Sequence, residues 1–262
     1  MMVTDREYVE HCVFTELERY IDFYESFSMS VFNFCSRGTK AVFNFESYVY
    51  SSIQGTLEST RNVLKDGRIN DAYALLRKYY DSTIINVYSS LYLQDHFSIE
   101  NFIVEKINNW LQGKERLPEY RIMSKYIRSS DKLTVINDLL YQDDRYKGVR
   151  DHCNDHTHYN FFNNVLLNDK NIHLPNRLQS LDGISADAQD IFILHLAYVF
   201  FLNDHYMMSS DYLDALDCGM LPENDSQYWV SPFVQEIMDD ILAKKRPDIA
   251  AAIKMHSCMH LG

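Results

Sequence analysis

The chain has 262 residues, with 37 acidic against 25 basic side chains and a formal net charge of −12, so long-range repulsion excludes indiscriminate binding to polyanions and any nucleic-acid role needs a local basic patch. That length is enough to enclose a hydrophobic core without staples. The five cysteines (Cys12, Cys35, Cys153, Cys218 and Cys258) are scattered and form no CxxC pair, which excludes a disulfide framework or a zinc motif and points to a reducing cytoplasm.

The first residues, MMVTDREYVEH, carry acids and no apolar run, so no secretion signal is expected. From Asp5 to about Cys35 the apolar positions Val9, Val13, Leu17, Ile21 and Tyr24 recur at steps of three and four, which predicts a helix with one buried stripe, ended by Ser36, Arg37 and Gly38. Its aromatic side chains Tyr20, Phe23, Tyr24, Phe27, Phe32 and Phe34 suit a core or a dimer interface better than a base-stacking platform. A second helix is predicted from Phe45 to Lys65, closed by Asp66 and by Gly67 as a left-handed cap. A third, capped by Asn70 or Asp71, runs to about Leu93 and sets Arg77 and Asp81 four apart as an ion pair.

Shorter helices follow, from Ser98 and Asn101 to Leu111, from Glu119 to Arg128, from Asp131 to Tyr141 and from Asp143 to about Asp155. Residues 156–184 hold Asn160, Asn163, Asn164, Asn168, Asn171, Pro175 and Gly183, turn formers that predict irregular chain with at most one short helix, an insertion or flap. A long helix is then expected from Ser185 to Cys218, stopped by CGMLPEND, with Pro232–Lys244 and Pro247–Met255 as two short helices begun by prolines. The apolar run Ile191–Leu202 is about a dozen residues, short of the roughly twenty a bilayer needs, so a buried core helix and no membrane association are expected. Only 8 Gly and 5 Pro interrupt the chain, and no repeat or strand-like alternation is visible. The fold expected is therefore all-α, a multi-helix bundle in a single domain over 1–262, with a core bundle about 5–158 and additional C-terminal helices about 185–256.

One segment departs from packing logic. Arg150 to Asn160 (RDHCNDHTHYN) gathers three of the ten histidines, an arginine and two aspartates. Burying so many ionisable groups unpaired is costly, which places the segment on a surface or in a cleft. Guanidinium followed closely by imidazole is the equipment of metal-free phosphodiester cleavage, one group neutralising the phosphorane and the other moving a proton near neutral pH. Residues six apart on an unbroken helix point about 120° from each other. Arg150 and His156 therefore converge only if the helix ends near Asp155 or if two chains meet.

Arg150, polar Asp151 and His156 after five intervening residues resemble the Arg-polar-x(n)-His motif of the HEPN superfamily of helical-bundle proteins. The long helices before the motif, one carrying LLRKYYDS at residues 75–82, and the further helices after it are similar too. The resemblance implies a homodimer with facing motifs that cleaves RNA, without metal or other cofactor, by attack of the 2′-hydroxyl on the adjacent phosphate. It implies that Arg150 holds the phosphate, that His156 acts as general acid or base, and that Asp151 and Asn154 orient them. Toxin, stress or phage-defence settings, with an antitoxin or sensor protein as a further partner, are the family's usual occupations, and other members bind nucleotides or proteins and cut nothing.

Residues 114–132 supply the local basic patch, with Lys114, Arg116, Arg121, Lys125, Arg128 and Lys132 against Glu115, Glu119 and Asp131. Arg121, Lys125 and Arg128 share one helical face, and with His158 they are the expected substrate-binding groups; Tyr120 and Tyr126 could stack on bases. Three alternatives stand beside this. Arg150 could be a solvated helix-end residue paired with Asp151 or Asp155, the basic face could be ordinary solubilising charge, and His152 with His156 could ligate a metal completed by Asp155 or His158. His195 is expected in the core, His205 at the surface, and His256, Cys258 and His260 in a frayed or exposed tail.

Overall fold

The computed structural model describes residues 1–35, 45–98, 100, 103–220 and 229–262, with side chains for all of these but 33–35. The expected first-helix terminators Ser36, Arg37 and Gly38, the cap residue Asn101 and the side chain of Phe34 lie outside the described residues, as does most of CGMLPEND. Every regular element among the described residues is helical, apart from an isolated antiparallel bridge between Met208 and Val230. The fold is an all-α multi-helix bundle, as its composition and periodicity lead one to expect.

In chain order the helices are α1 (Arg6–Val9), α2 (Val13–Cys35), α3 (Phe45–Lys65), α4 (Ile69–His96), α5 (Glu105–Leu111), α6 (Tyr120–Arg128), α7 (Thr134–Leu140), α8 (Arg145–Thr157), α9 (Phe162–Leu166), α10 (Arg177–Leu202), α11 (Ser210–Asp217), α12 (Pro232–Ile237), α13 (Ala243–Lys245) and α14 (Pro247–His256). The expected helix from Asp5 is broken into α1 and α2 around Glu10–Cys12. After α3, Gly67 sits at φ +77° and the bonds Gly67 N–H to Leu64 O (2.8 Å) and Arg68 N–H to Val63 O (2.9 Å) close the helix in a Schellman turn. The π-helical turn Met238–Leu242 lies between α12 and α13, where the sequence predicts one continuous helix.

Two boundaries differ for reasons visible in the side chains. Helix α10 begins at Arg177, eight residues before the expected start. Ser185 does not cap it, and its hydroxyl instead donates to the Glu16 carboxylate. The same helix stops at Leu202 rather than Cys218. Asn203 leaves helical geometry at φ −136°, and its side-chain amide donates to Ser90 Oγ at 3.0 Å. Ser209 then caps α11 by accepting Tyr212 N–H at 3.1 Å. By length and composition α10 could cross a membrane, yet 72% of its most apolar stretch is buried in the protein, the behaviour of a core helix.

The chain divides into two compact units, one formed by 1–28, 48–83 and 143–192, the other by 29–47, 84–142 and 193–262. The first packs a cluster of aromatic rings. Tyr20 stacks on Phe192 with centroids 4.4 Å apart, Phe23 on Phe27 at 5.2 Å, and Tyr24 and Tyr79 share a hydroxyl-to-hydroxyl bond of 2.9 Å. Each such ring contributes about 2–3 kcal/mol by leaving water, and the shared bond satisfies two phenols that burial would otherwise penalise. In the second unit Tyr198 donates to Asn137 Oδ1 (2.7 Å), Asn137 donates to Ile127 O (3.1 Å), and Arg246 donates to Leu139 O (2.7 Å). His195 is fully buried there, its Nε2 donating to Asn86 Oδ1 at 2.9 Å, as expected of a core histidine.

Candidate functional site

Within the first unit, α8 and the first half of α4 run antiparallel and are joined by three polar contacts. His156 Nδ1 donates to Asn70 Oδ1 at 2.5 Å, Arg77 donates to Asn154 Oδ1 at 2.5 Å, and Arg150 donates to Asp81 Oδ1 at 3.1 Å. Asp81 also accepts Arg77 Nε at 3.1 Å, the intrahelical pair that the spacing predicts, so one carboxylate holds two guanidiniums. The Arg150 pairing expected of a plain helix end, with Asp151 or Asp155, is thus made with Asp81 on another helix.

Helix α8 is unbroken from Arg145 to Thr157 and ends two residues past Asp155, so Arg150 and His156 still share one straight helix. At 1.5 Å per residue, the two anchor points on α4, Asn70 and Asp81, stand about 16 Å apart along its axis. The guanidinium of Arg150 and the imidazole of His156 therefore do not gather around one phosphate within a single chain.

His156 is the best-defined of the expected site residues. The Asn70 amide donates to the Asn164 carbonyl, which turns its oxygen toward the ring and makes His156 the Nδ1–H tautomer. Its ring lies parallel to Tyr73, 3.9 Å between centroids and 10° between planes. Burial, and then the nearby His152, push its pKa down to about 4, so the ring is neutral at pH 7. Nε2 keeps its lone pair and has no hydrogen-bond partner among the described residues. His152 donates from Nδ1 to Asp187 Oδ2 at 3.0 Å, and burial raises the Asp187 carboxyl while His152 pulls it back.

Both histidines line a cleft of about 790 Å³ in the same unit. Asn176, just before α10, and Gln179, Ser180 and Gly183 in its first two turns face it, positions spaced at three and four along the chain. Leu166, Leu167, Leu174 and Pro175 give an apolar wall, and Tyr73 reaches in from α4. Gly183 leaves room for that approach, because a Cβ there would stand 2.9 Å from the Tyr73 hydroxyl and displace it. The supposed flap is thus tied down. Asn168 Oδ1 accepts the Asn70 N–H at 2.9 Å, capping α4 from outside the helix, where the sequence suggests that Asn70 or Asp71 caps it. Arg177, fully buried, donates to the carbonyls of Asp169 and Ile172.

The remaining expected residues are dispersed. Asp151 is exposed, and exposed His158 is the residue that closes α8. Arg121, Lys125 and Arg128 are exposed on α6 as expected, in the second unit, with the Arg128 guanidinium 3.8 Å over the Tyr141 ring. Tyr126 is not a free stacking platform. It donates to Asp95 at 2.7 Å and packs against Tyr88 and Tyr92. Among the described residues no three His, Cys, Asp or Glu side chains gather as a metal would require, and His152 and His156 point their Nδ1 atoms at Asp187 and Asn70 instead.

His205 is exposed, and so are His256, Cys258 and His260. The tail they occupy is nevertheless fastened. Cys258 N–H donates to Asp204 Oδ2 (2.9 Å), Gly262 N–H to Gln235 Oε1 (3.0 Å), and His260 lies on Trp229 with ring centroids 3.8 Å apart.

Sequence reasoning missed Asn70, Tyr73, Asn164, Asp187 and Gln179. Their available signal was the density of Asn around 160–176 together with a glycine on the α10 face, read as irregular chain when it marks close packing. Compared with protein-family models, with curated proteins and with solved structures, the chain matches none.

Proposed function

We propose that the chain is a HEPN-like, metal-independent endoribonuclease whose active site is completed when two copies meet. The observation that carries this reading is the state of His156: neutral, fixed in one tautomer by Asn70, and offering an unpartnered Nε2 in a cleft. Such a nitrogen is equipped to act as a general base toward a 2′-hydroxyl. The proton passes to Nε2, the 2′-oxygen bonds to phosphorus, and the 5′-oxygen leaves with a proton from solvent, giving a 2′,3′-cyclic phosphate and a 5′-hydroxyl end.

Arg150 supplies the phosphate-binding cation in this proposal, from the other copy, because about 16 Å of α4 separates the anchors of Arg150 and His156 in one chain. The exposed cations Arg121, Lys125 and Arg128 support a role in drawing in RNA against the overall negative charge. A cytoplasmic toxin or antiviral-defence setting, held in check by an antitoxin or sensor protein, is the context this proposal fits.

Mixing inactive variants tests it. Arg150→Ala and His156→Ala proteins should each fail to degrade RNA in chelator. Combined in equal amounts they should recover about a quarter of wild-type activity, since half the dimers are mixed and each mixed dimer has one intact site. Activity in either single variant, or none in the mixture at dimer-forming concentration, overturns the composite site.

A second reading, a non-catalytic helical binding module, is favoured by the Arg150–Asp81 ion pair, which gives the arginine a structural task. It requires that RNA remain intact with wild-type protein.

A further inference from the structure

The cleft beside His156 has a chemical character of its own. No Lys or Arg is among its described lining residues, and its carboxylate Asp182 would repel a phosphate. What it offers is neutral and bidirectional: the side-chain amides of Asn176 and Gln179, the Ser180 hydroxyl, an apolar wall, and the Tyr73 hydroxyl. Tyr73 is only 4% exposed, yet its hydroxyl has no hydrogen-bond partner among the described residues although it lies at the cleft. That hydroxyl opens on the cleft rather than being sealed in the core, so it can exchange water for a ligand.

Paired amide donors and acceptors beside an apolar wall complement the edge and the face of a planar heterocycle, the combination by which unstacked bases are recognised. At about 790 Å³ the cleft has room for a base with its sugar. We propose that it is a nucleobase subsite, in which Tyr73 and Gln179 bind the edge of a base placed next to His156. This rests on the ribonuclease reading and names what that site selects: a base held by its edge, with the phosphate left outside the cleft.

Binding of small probes to the full-length protein tests it without any cleavage. Adenosine, guanosine, cytidine, uridine and ribose 5-phosphate are titrated separately by calorimetry and by ligand-observed NMR. At least one nucleoside should saturate the protein at about millimolar concentration or below, and ribose 5-phosphate should not. Tyr73→Phe, which removes only the hydroxyl, should weaken nucleoside binding about 2- to 13-fold, the value of one hydrogen bond. Gly183→Ala should weaken it as well by displacing that hydroxyl, with circular dichroism melts confirming that both variants fold. Absence of nucleoside binding at about 10 mM, ribose 5-phosphate binding as well as any nucleoside, or unchanged affinity in Tyr73→Phe overturns the subsite. Nucleoside binding without RNA cleavage removes the ribonuclease reading and leaves the base site standing. Cleavage without nucleoside binding does the reverse.

Discussion

Asn70, in the first turn of α4, accepts the Nδ1 proton of His156 on α8 while its own amide donates to the Asn164 carbonyl. One side chain therefore sets the tautomer of the candidate base and fastens the segment after α8. Replacing it with a carboxylate separates these tasks. Asn70→Asp should lift the His156 pKa from about 4 well toward its ordinary value of about 6.5, because a negative charge beside Nδ1 favours the imidazolium. The ring-proton NMR titration reads this directly. Asn70→Ala, losing both bonds, should cost about 1–3 kcal/mol in urea unfolding.

Acid should weaken the fold through the histidines whose pKa burial lowers, chiefly His156 and His195, with His205 acting in the same direction. His156 and His195 have folded pKa values pushed down to about 4 and about 3, against roughly 6.5 in an unfolded chain. The unfolded state therefore takes up protons first, and their contribution to stability, fully present above pH 6.5, is lost as pH falls through 6.5 toward 4 and 3. Glu46 and Asp187, whose carboxyls burial raises, act in the opposite sense and favour the folded state as they protonate. His195→Gln, which keeps a donor for Asn86, should flatten the fall in stability between pH 6.5 and 4.5; urea midpoints that fall as steeply as wild type would show that His195 does not cause it.

The same shift predicts the acid limb of the proposed cleavage. A general base that titrates near pH 4 stays deprotonated throughout the neutral range. Rate against pH should therefore hold level from about 8 down to 5 and fall only below that, whereas an unperturbed imidazole would give a limb near 6.5.

Gly67→Ala should destabilise the chain by about 1–3 kcal/mol. The residue is at φ +77°, and a Cβ there would meet Val3 Cγ2 at 2.4 Å, so backbone strain and a clash act together. A thermal melt measures the loss.

Asn168→Ala should cost about 1–2 kcal/mol, since it removes the acceptor that caps α4 together with the bond from Asn168 Nδ2 to Asp71 Oδ1 at 2.8 Å. Faster amide exchange confined to the first turn of α4 would identify the lost cap as the cause.

The parts of this fold legible in the sequence are those governed by local rules. Helix α3 with its Gly67 terminator, the Arg77–Asp81 pair and the prolines opening α12 and α14 each follow from neighbours in the chain. What stayed illegible depends on partners distant in sequence. Gly183 looks like a breaker, yet it lies inside α10 because Tyr73 approaches there. Asn164 and Asn168 look like turn formers, yet they serve α4 nearly a hundred residues earlier. His156 could be singled out for its chemistry, but its tautomer, its neutrality and its cleft come from Asn70, Tyr73 and α10, which no spacing rule connects to it.

The stacking of His260 on Trp229 gives the carboxyl-terminal tail an optical signature. An imidazole in contact with indole quenches its emission. Detachment of those last residues, by a ligand, a protease or a partner, should therefore register as a brightening, in a chain with only two tryptophans to confuse the signal.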